Sequence, residues 1–423
     1  MIDIKLIRQN PEIAKNSQIS RGKDPQIVDK LLDIDALYRN AITNSENLKA
    51  KQNELGKLIP KANKQEKSKL LAKLKVLSKE AESSKTQTNK LEQKYLKLAK
   101  SLDNLIAEAP PGGEKDYIVL EEIGSPRNFI NEGIKIKDHL DIGQNLNILD
   151  TIRGAKVSGA RFYFLKGLGA QLELAIQRLA LDIATSENIT PIITPTLVLP
   201  EIMDGTGFLG EHSAEIYKLA EPDNVYLVGT SEVAIAGFHQ NEILNLKNSD
   251  ISYAGISTCY RREAGSYGKD TRGIIRVHQF NKVEMFVFCK PENAEKQHQR
   301  ILNIEKKILN AMEIPYRIID VAAGDLGSSA ARKFDCEAYL PSQNRYLELT
   351  STSNCTTYQA RRLNIRYIGN DGKKHMAATL NGTLTTTRWL VALLENHQQA
   401  DGSVKIPKAL TKYMNGLEYI KIE

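Results

Sequence analysis

Between Ile27 and Leu55 the positions Ile27, Leu31, Ile34, Tyr38, Ala41, Ser45, Leu48, Gln52 and Leu55 step alternately by four and three. That is the spacing of a heptad seam. The alternation returns through Leu70, Leu74, Leu77, Ala81, Ser84, Thr88, Leu91, Tyr95, Leu98, Leu102 and Leu105, after a break at Gly56 and Pro60 that stops a helix. Two long helices must therefore fold back on each other. At about 1.5 Å per residue the second extends roughly 60 Å, more than a small domain requires. Most of the hairpin is expected to project into solvent as an arm. Its seam is strong at the base and weak in the middle, where Ser45 and Gln52 are expected near Ser84 and Thr88 and the arm is expected to bend.

From Ala41 to Lys100 the chain carries fifteen Lys, six Glu, no Arg and no Asp, a net +9, so with +7 overall the remainder is −2. A basic arm on a near-neutral body suggests a polyanionic partner. A dimerising coiled coil fits less well, because interhelical pairing at its flanks wants both signs. At 423 residues, 41% hydrophobic and 26% charged, the chain has room for two domains and a real core. No apolar run approaches a membrane span, and the start MIDIKLIRQN lacks a secretory stretch, so a cytoplasmic protein is expected. Cys259, Cys289, Cys336 and Cys355 lie far apart, which argues against a disulfide framework and a thiolate zinc site. Six of the histidines, His139 among them, are scattered without ligand spacing.

Pro110, Pro111, Gly112 and Gly113 are expected to end the second helix, giving an arm of residues 1–110 and a second domain of residues 111–423. Beyond them the pattern turns to short β-rich runs at 224–230, 251–263 and 273–289, mixed with helices. Strands joined by the turn-rich loop AGSYGKDTRG, not by a crossover helix, predict an antiparallel sheet in an α+β domain. Arg261 and Glu263 share a face of the incoming strand, and Arg276, His278, Phe280, Lys282 and Glu284 share one of the outgoing strand. An exposed, salt-bridged face would look similar. Arginine, however, grips carboxylate or phosphate with two parallel bonds, and a ring can stack on a base, which suggests a nucleotide and a small acid. Small and hydroxylated residues from Asn381 to Arg388, ahead of the helix WLVALLENHQ, could expose backbone N–H groups to phosphate. Trp389 and the leucines after it read as core.

Together Tyr260-Arg261-Arg262-Glu263, the loop and the strand IIRVHQFNKVEMF resemble motif 2 of class II aminoacyl-tRNA synthetases, in the form of bacterial seryl-tRNA synthetases. NITPIITPTLVLPEIMDGTGF resembles motif 1, with Pro195 at its proline, and NGTLTTTRWLVALLENHQ resembles motif 3. YLVGTSE, ELTSTSNCTTYQARRLNIRY and YMNGLEYI match as well, and the basic hairpin corresponds to the family's tRNA-binding arm. The resemblance covers essentially the whole chain. It implies that Arg261 bridges the amino acid carboxylate and the α-phosphate of ATP, that Glu263 reads the adenine amino group, that Phe280 stacks under adenine and that the Val277 backbone adds a contact. Arg276 and Arg388 would hold the β,γ-phosphates, and Glu348 and Ser351 the magnesium ion. Arg262, Leu349 and Thr350 fall within the same ATP-binding segments. Thr230, Ser231, Glu232, Glu284, Asn381 and Thr383, with Arg261, match the serine pocket.

Motif 3 departs from the family's common N-G-S-G-L-A-V-G-R. It is one residue shorter and Thr383 replaces the serine, which puts the reach of Arg388 in question. GTGFLGEHSAEIYKL also differs from the commonest form. The resemblance implies ATP-dependent activation of L-serine, transfer to the 3′ end of tRNA(Ser), a homodimer joined through motif 1, and no general base, since a carboxylate is already the nucleophile. Whether tRNA(Sec) is a second acceptor stays open. The alternatives are an amino acid ligase for a carrier protein and a non-catalytic RNA-binding paralogue.

Overall fold

The computed structural model describes residues 1–264 and 272–422, with the backbone only at positions 211 and 212. Contacts divide the chain into two compact units, Met1–Leu105 and Ile106–Glu423.

In the first unit α1 (Ile4–Gln9) and α2 (Pro11–Ser20) precede the long helices α3 (Gln26–Leu58) and α4 (Lys64–Ser101). Gly56 stays inside α3, because one glycine costs a helix only about 1 kcal/mol. The reversal falls on the 3₁₀ turn Ile59–Lys61, and Asn63 then opens α4 with a capping box, its Oδ1 accepting from Gln65 and Glu66 while Glu66 accepts from the Asn63 N–H. Beyond Asp35 no residue of α3 is buried, so tertiary burial supports only the base of the pair. There Ile7, Ala14, Val28, Leu31, Ala99 and Leu102 form a core. Asp35 takes both nitrogens of the Arg8 fork (2.6 and 2.7 Å), and Tyr38 stacks on Tyr95 at 5.6 Å.

Two expectations are corrected here. Helix α4 ends at Ser101, nine residues before Pro110, because Leu102 is drawn into the basal core while Asp103 is held by Lys23 and by the side chain of Gln18. The polar middle of the seam is also offset. Gln52 donates to Ser78 (2.8 Å), Asn44 to Ser84 (3.4 Å), and Thr88 to the Ala41 carbonyl (3.3 Å).

The second unit is built on an eight-stranded sheet of β1 (Tyr117–Ile123), β2 (Thr190–Ile193), β3 (Ile251–Tyr260), β4 (Gln279–Cys289), β5 (Tyr316–Val321), β6 (Arg332–Leu340), β7 (Arg345–Asn354) and β8 (Ala378–Thr386). The strand order is β1-β5-β6-β7-β8-β4-β3-β2. Every pairing is antiparallel except β2 with β3, so the expected antiparallel α+β core is present with one parallel edge. Helices α6 (Leu168–Ser186), α8 (Ala294–Ala311) and α10 (Arg388–Asn396) pack in one core with Val283, Met285 and Val287 of β4. Trp389 is part of that core. The alternate residues Phe286 and Phe288 pack in a second cluster with α7 (Glu232–Phe238) and α9 (Tyr358–Leu363). Further along that second face come Glu284, Lys282 and Phe280. Period-two alternation thus carries one face of β4 from an aromatic core into an open cleft. The remaining helix that bears on the site is α5 (His139–Asn145). Among the described residues, no helix is long and apolar enough to cross a membrane.

Candidate active site

The regular hairpin is shorter than the sequence suggested. Strand β3 stops at Tyr260 and β4 begins at Gln279, so Arg261, Glu263, Arg276 and His278 lie outside the ladder. Glu263 adopts φ +51°, and the shared face expected of it and Arg261 does not exist. Pairing nonetheless continues irregularly: the Arg261 N–H donates to the His278 carbonyl (3.0 Å), and the Arg276 guanidinium grips Glu263 (2.8 Å). The loop residues 265–271 lie outside the described residues.

One cleft gathers Arg261, Glu263, Val277, Phe280, Glu348, Leu349, Ser351, Thr383 and Arg388. The Arg261 guanidinium lies 5.3 Å from the Phe280 ring centre and its Nε donates to the Gly229 carbonyl (3.4 Å). Arg276 Nε is buried without a hydrogen-bond partner among the described residues, and Arg276 is not among the residues that line the cleft. Arg388 opens α10 and reaches the Ile275 carbonyl (3.3 Å) and the Glu348 carbonyl (3.1 Å). The register of β8 against β4 shifts between Thr383 and Thr385, and Arg388 lines the cleft. Arg262 is exposed with its N–H bonded to the Glu215 carbonyl, and Thr350 is buried against Glu305; neither lines the cleft.

At the inner end lies a buried polar cluster. Glu284 is 1% exposed, set between Gly255 on β3 and Thr383 on β8. Its Oε2 accepts from Lys282 Nζ (2.6 Å) and Thr383 Oγ1 (3.1 Å), while Lys282 also donates to Thr230 Oγ1 (3.2 Å). Lys282 received no role from the sequence, although it stands on the same strand face two residues before Glu284. Gly255 is needed because a Cβ there would come within 2.7 Å of Ser231 Oγ, which donates to the Gly255 carbonyl (3.2 Å). Asn381 is buried nearby, its amide against the Cys355 sulfur.

Glu232 closes the cluster, accepting from Gln359 Nε2 (2.7 Å). Burial pushes its carboxyl up to about 7, the charge of Glu284 adds to the shift, and Gln359, Lys282 and Arg261 oppose it. For Glu348, burial also pushes upward, but Lys333, Arg388, Arg261 and Lys282 together outweigh it and hold the carboxyl below its ordinary value. An anionic Glu348 beside the Ser351 hydroxyl is an oxygen donor set of the kind a hard cation takes. Among the described residues no group of three or more His, Cys, Asp or Glu side chains could hold a metal, so such a cation would need further oxygens from its ligand.

The arrangement can therefore place a planar base on Phe280, spread phosphate charge over Arg261 and Arg388 and hold a small zwitterion with a hydroxyl in the inner cluster. Residues 1–106 match the seryl-tRNA synthetase N-terminal domain, and residues 217–397 match the class II tRNA synthetase core domain of the G, H, P, S and T enzymes. The serine–tRNA ligase of Corynebacterium efficiens is 57% identical over 98% of both chains, and that of Beutenbergia cavernae 54% identical over 100% of both. The crystal structure of seryl-tRNA synthetase from Pyrococcus horikoshii complexed with ATP superposes with a TM-score of 0.92 at 38% identity, covering 100% of each chain. The basic helical pair and the cleft on the antiparallel sheet are thus parts of one inherited architecture, and the chain belongs to the seryl-tRNA synthetase family of class II.

Proposed function

We propose that the chain activates L-serine with ATP to give seryl-adenylate and transfers the seryl group to the 3′-terminal adenosine of tRNA(Ser). The observation that carries this reading is the buried Lys282–Glu284–Thr383 cluster at the inner end of the arginine-lined cleft. A serine carboxylate oxygen attacks the α-phosphorus in line, and pyrophosphate leaves. No base is required. Arg261 aligns carboxylate and α-phosphate, Arg276 and Arg388 hold the β,γ-phosphates, and Phe280 carries the adenine. In this reading Arg276 exchanges its Glu263 partner for phosphate, which frees Glu263 for the adenine amino group. Glu348 and Ser351 would hold magnesium entering with ATP, whose charge, when bound, neutralises the triphosphate. The ribose hydroxyl of tRNA then attacks the mixed anhydride and AMP leaves, while the basic arm, residues 1–110, holds the body of a tRNA whose 3′ end enters the catalytic domain, residues 111–423, of the partner subunit. The exposed Ile193 on the edge strand β2, within motif 1, supports a homodimer joined through motif 1. Four free, buried thiols agree with a cytoplasmic setting.

Pyrophosphate exchange into ATP across all twenty amino acids tests the reading: serine alone should support it efficiently, followed by charging of tRNA(Ser). Exchange with another amino acid, or transfer to a carrier protein instead of tRNA, would overturn it.

Arg261→Lys should reduce exchange by roughly 10²-fold or more with the melting temperature unchanged, since a point charge cannot replace a planar fork joining two anions. Parental exchange by that variant would remove Arg261 from the aligning role.

Glu232 gives a pH prediction. Below about 7 its carboxyl is protonated and neutral, and above it is an anion able to receive the serine ammonium. The KM for serine should therefore fall as pH rises through about 7, and Glu232→Gln should abolish that fall. A profile identical in parent and variant would assign the ammonium to another group.

A further inference from the structure

The backbone that leads into Arg276 is gripped at two consecutive residues by one helix. Arg388, at the start of α10, donates from Nε to the Ile275 carbonyl (3.3 Å). Glu395 lies seven residues further along, two turns on and so on the same side of the helix. It reaches the neighbouring residue through His139: Nδ1 of the ring lies 3.1 Å from Glu395 Oε1, and Nε2 lies 3.1 Å from the Ile274 backbone nitrogen. A backbone N–H can only donate, so Nε2 is the acceptor and the ring proton sits on Nδ1, donated to Glu395.

This contact is built on all sides. His139 is 1% exposed and Glu395 0%, and the carboxylate also accepts the His139 backbone N–H (3.1 Å) and the Ser342 N–H (3.2 Å). Gly273 completes it. At φ +74° it takes the left-handed conformation glycine favours, and a Cβ there would stand 1.9 Å from His139 Nε2. The glycine thus leaves the space the ring needs to reach the next N–H.

We propose that the His139–Glu395 pair is a positioning device for the ATP site, fixing Ile274 and Ile275 so that Arg276 and Arg388 meet the phosphates in register. Neither residue touches the reactants. Both act through the backbone. The inference rests on the ATP-site reading above, so ATP affinity is measured directly, by calorimetry without amino acid, alongside pyrophosphate exchange.

His139→Leu leaves the buried Ile274 N–H unpaired and removes the ring donor from among the three N–H groups that Glu395 accepts; it should weaken ATP binding about tenfold, raising the KM for ATP in step while the KM for serine stays near the parent's. His139→Gln should restore most of the affinity, because its amide carries one acceptor and one donor in place of the two ring nitrogens. Gly273→Ala, which displaces the ring without touching its chemistry, should reproduce the His139→Leu loss and covers the case in which that variant does not fold. Parental ATP affinity in folded Gly273→Ala would overturn the proposal. So would an equal rise of both KM values, tracking a lowered melting temperature and unrelieved by His139→Gln. If the parent bound ATP but showed no serine-dependent exchange, the functional reading would fail while the affinity comparison still decided this one.

Discussion

Excising residues 42–87 and closing the gap with a short turn should leave serine-dependent pyrophosphate exchange within about twofold of the parent, as expected for sites that share no partners, and should remove tRNA(Ser) charging. The cut is placed where the helices already meet: the Thr88 hydroxyl donates to the Ala41 carbonyl at 3.3 Å, so the new ends start as neighbours. Everything that stabilises the base remains, including the Tyr38–Tyr95 stack, the Arg8–Asp35 pair and the core around Leu31 and Leu102. What goes is charge. Of the fifteen Lys between Ala41 and Lys100, eleven fall in the excised stretch, from Lys49 to Lys85. Their contribution to RNA binding is counterion release, so in the parent log K should fall against log salt by roughly 0.7–0.9 for each phosphate neutralised, and the excised protein should show a much shallower slope. Normal charging by the shortened protein would sink the idea that the arm holds the tRNA.

The same arm shows what can be read from residues and what cannot. Its heptad seam is a local signal, and the two helices follow from it. Their exact ends do not, because Ser101 is where burial of Leu102 and anchoring of Asp103 override a seam that continues on paper to Leu105. The same division holds in the sheet. Alternation puts Phe280, Lys282 and Glu284 on one face, since a strand leaves no other choice, but it does not reach back to Arg276 and His278, which lie outside the strand, where a partner's backbone and not periodicity decides orientation. Lys282 went without a role for a related reason. A lysine is ordinarily solvated, and only the observed 7% exposure beside Glu284 shows that it is part of the inner cluster. Nothing in the sequence around His139 points to its role, because its partners are far away in sequence, at Ile274 and Glu395.

Discrimination of serine from alanine should collapse when Glu284 is removed. The carboxylate commits Oε2 to Lys282 and Thr383, and Oε1 is then the acceptor proposed for the substrate hydroxyl. With serine bound the acceptor is paired; with alanine it stays desolvated and unpaired, and sites of this type reject the analogue by roughly 10⁴-fold or more. Threonine keeps the hydroxyl, so its exclusion must come from the fit around one extra methyl, a weaker device. Glu284→Ala should lower kcat/KM for serine sharply while that for alanine falls little, so the ratio shrinks toward the low value a hydrophobic pocket gives. Removing one partner of a buried pair also leaves the Lys282 ammonium without its anion, at a cost of about 3–5 kcal/mol in stability. The companion variant Lys282→Met/Glu284→Leu removes both charges, should recover much of that stability, and should still lack the preference for serine. Measuring kcat/KM for both amino acids, with melting temperatures, separates the two effects. An unchanged serine-to-alanine ratio in a folded variant would place the hydroxyl against another group, because loss of stability alone has no means of distinguishing two substrates that differ by one oxygen.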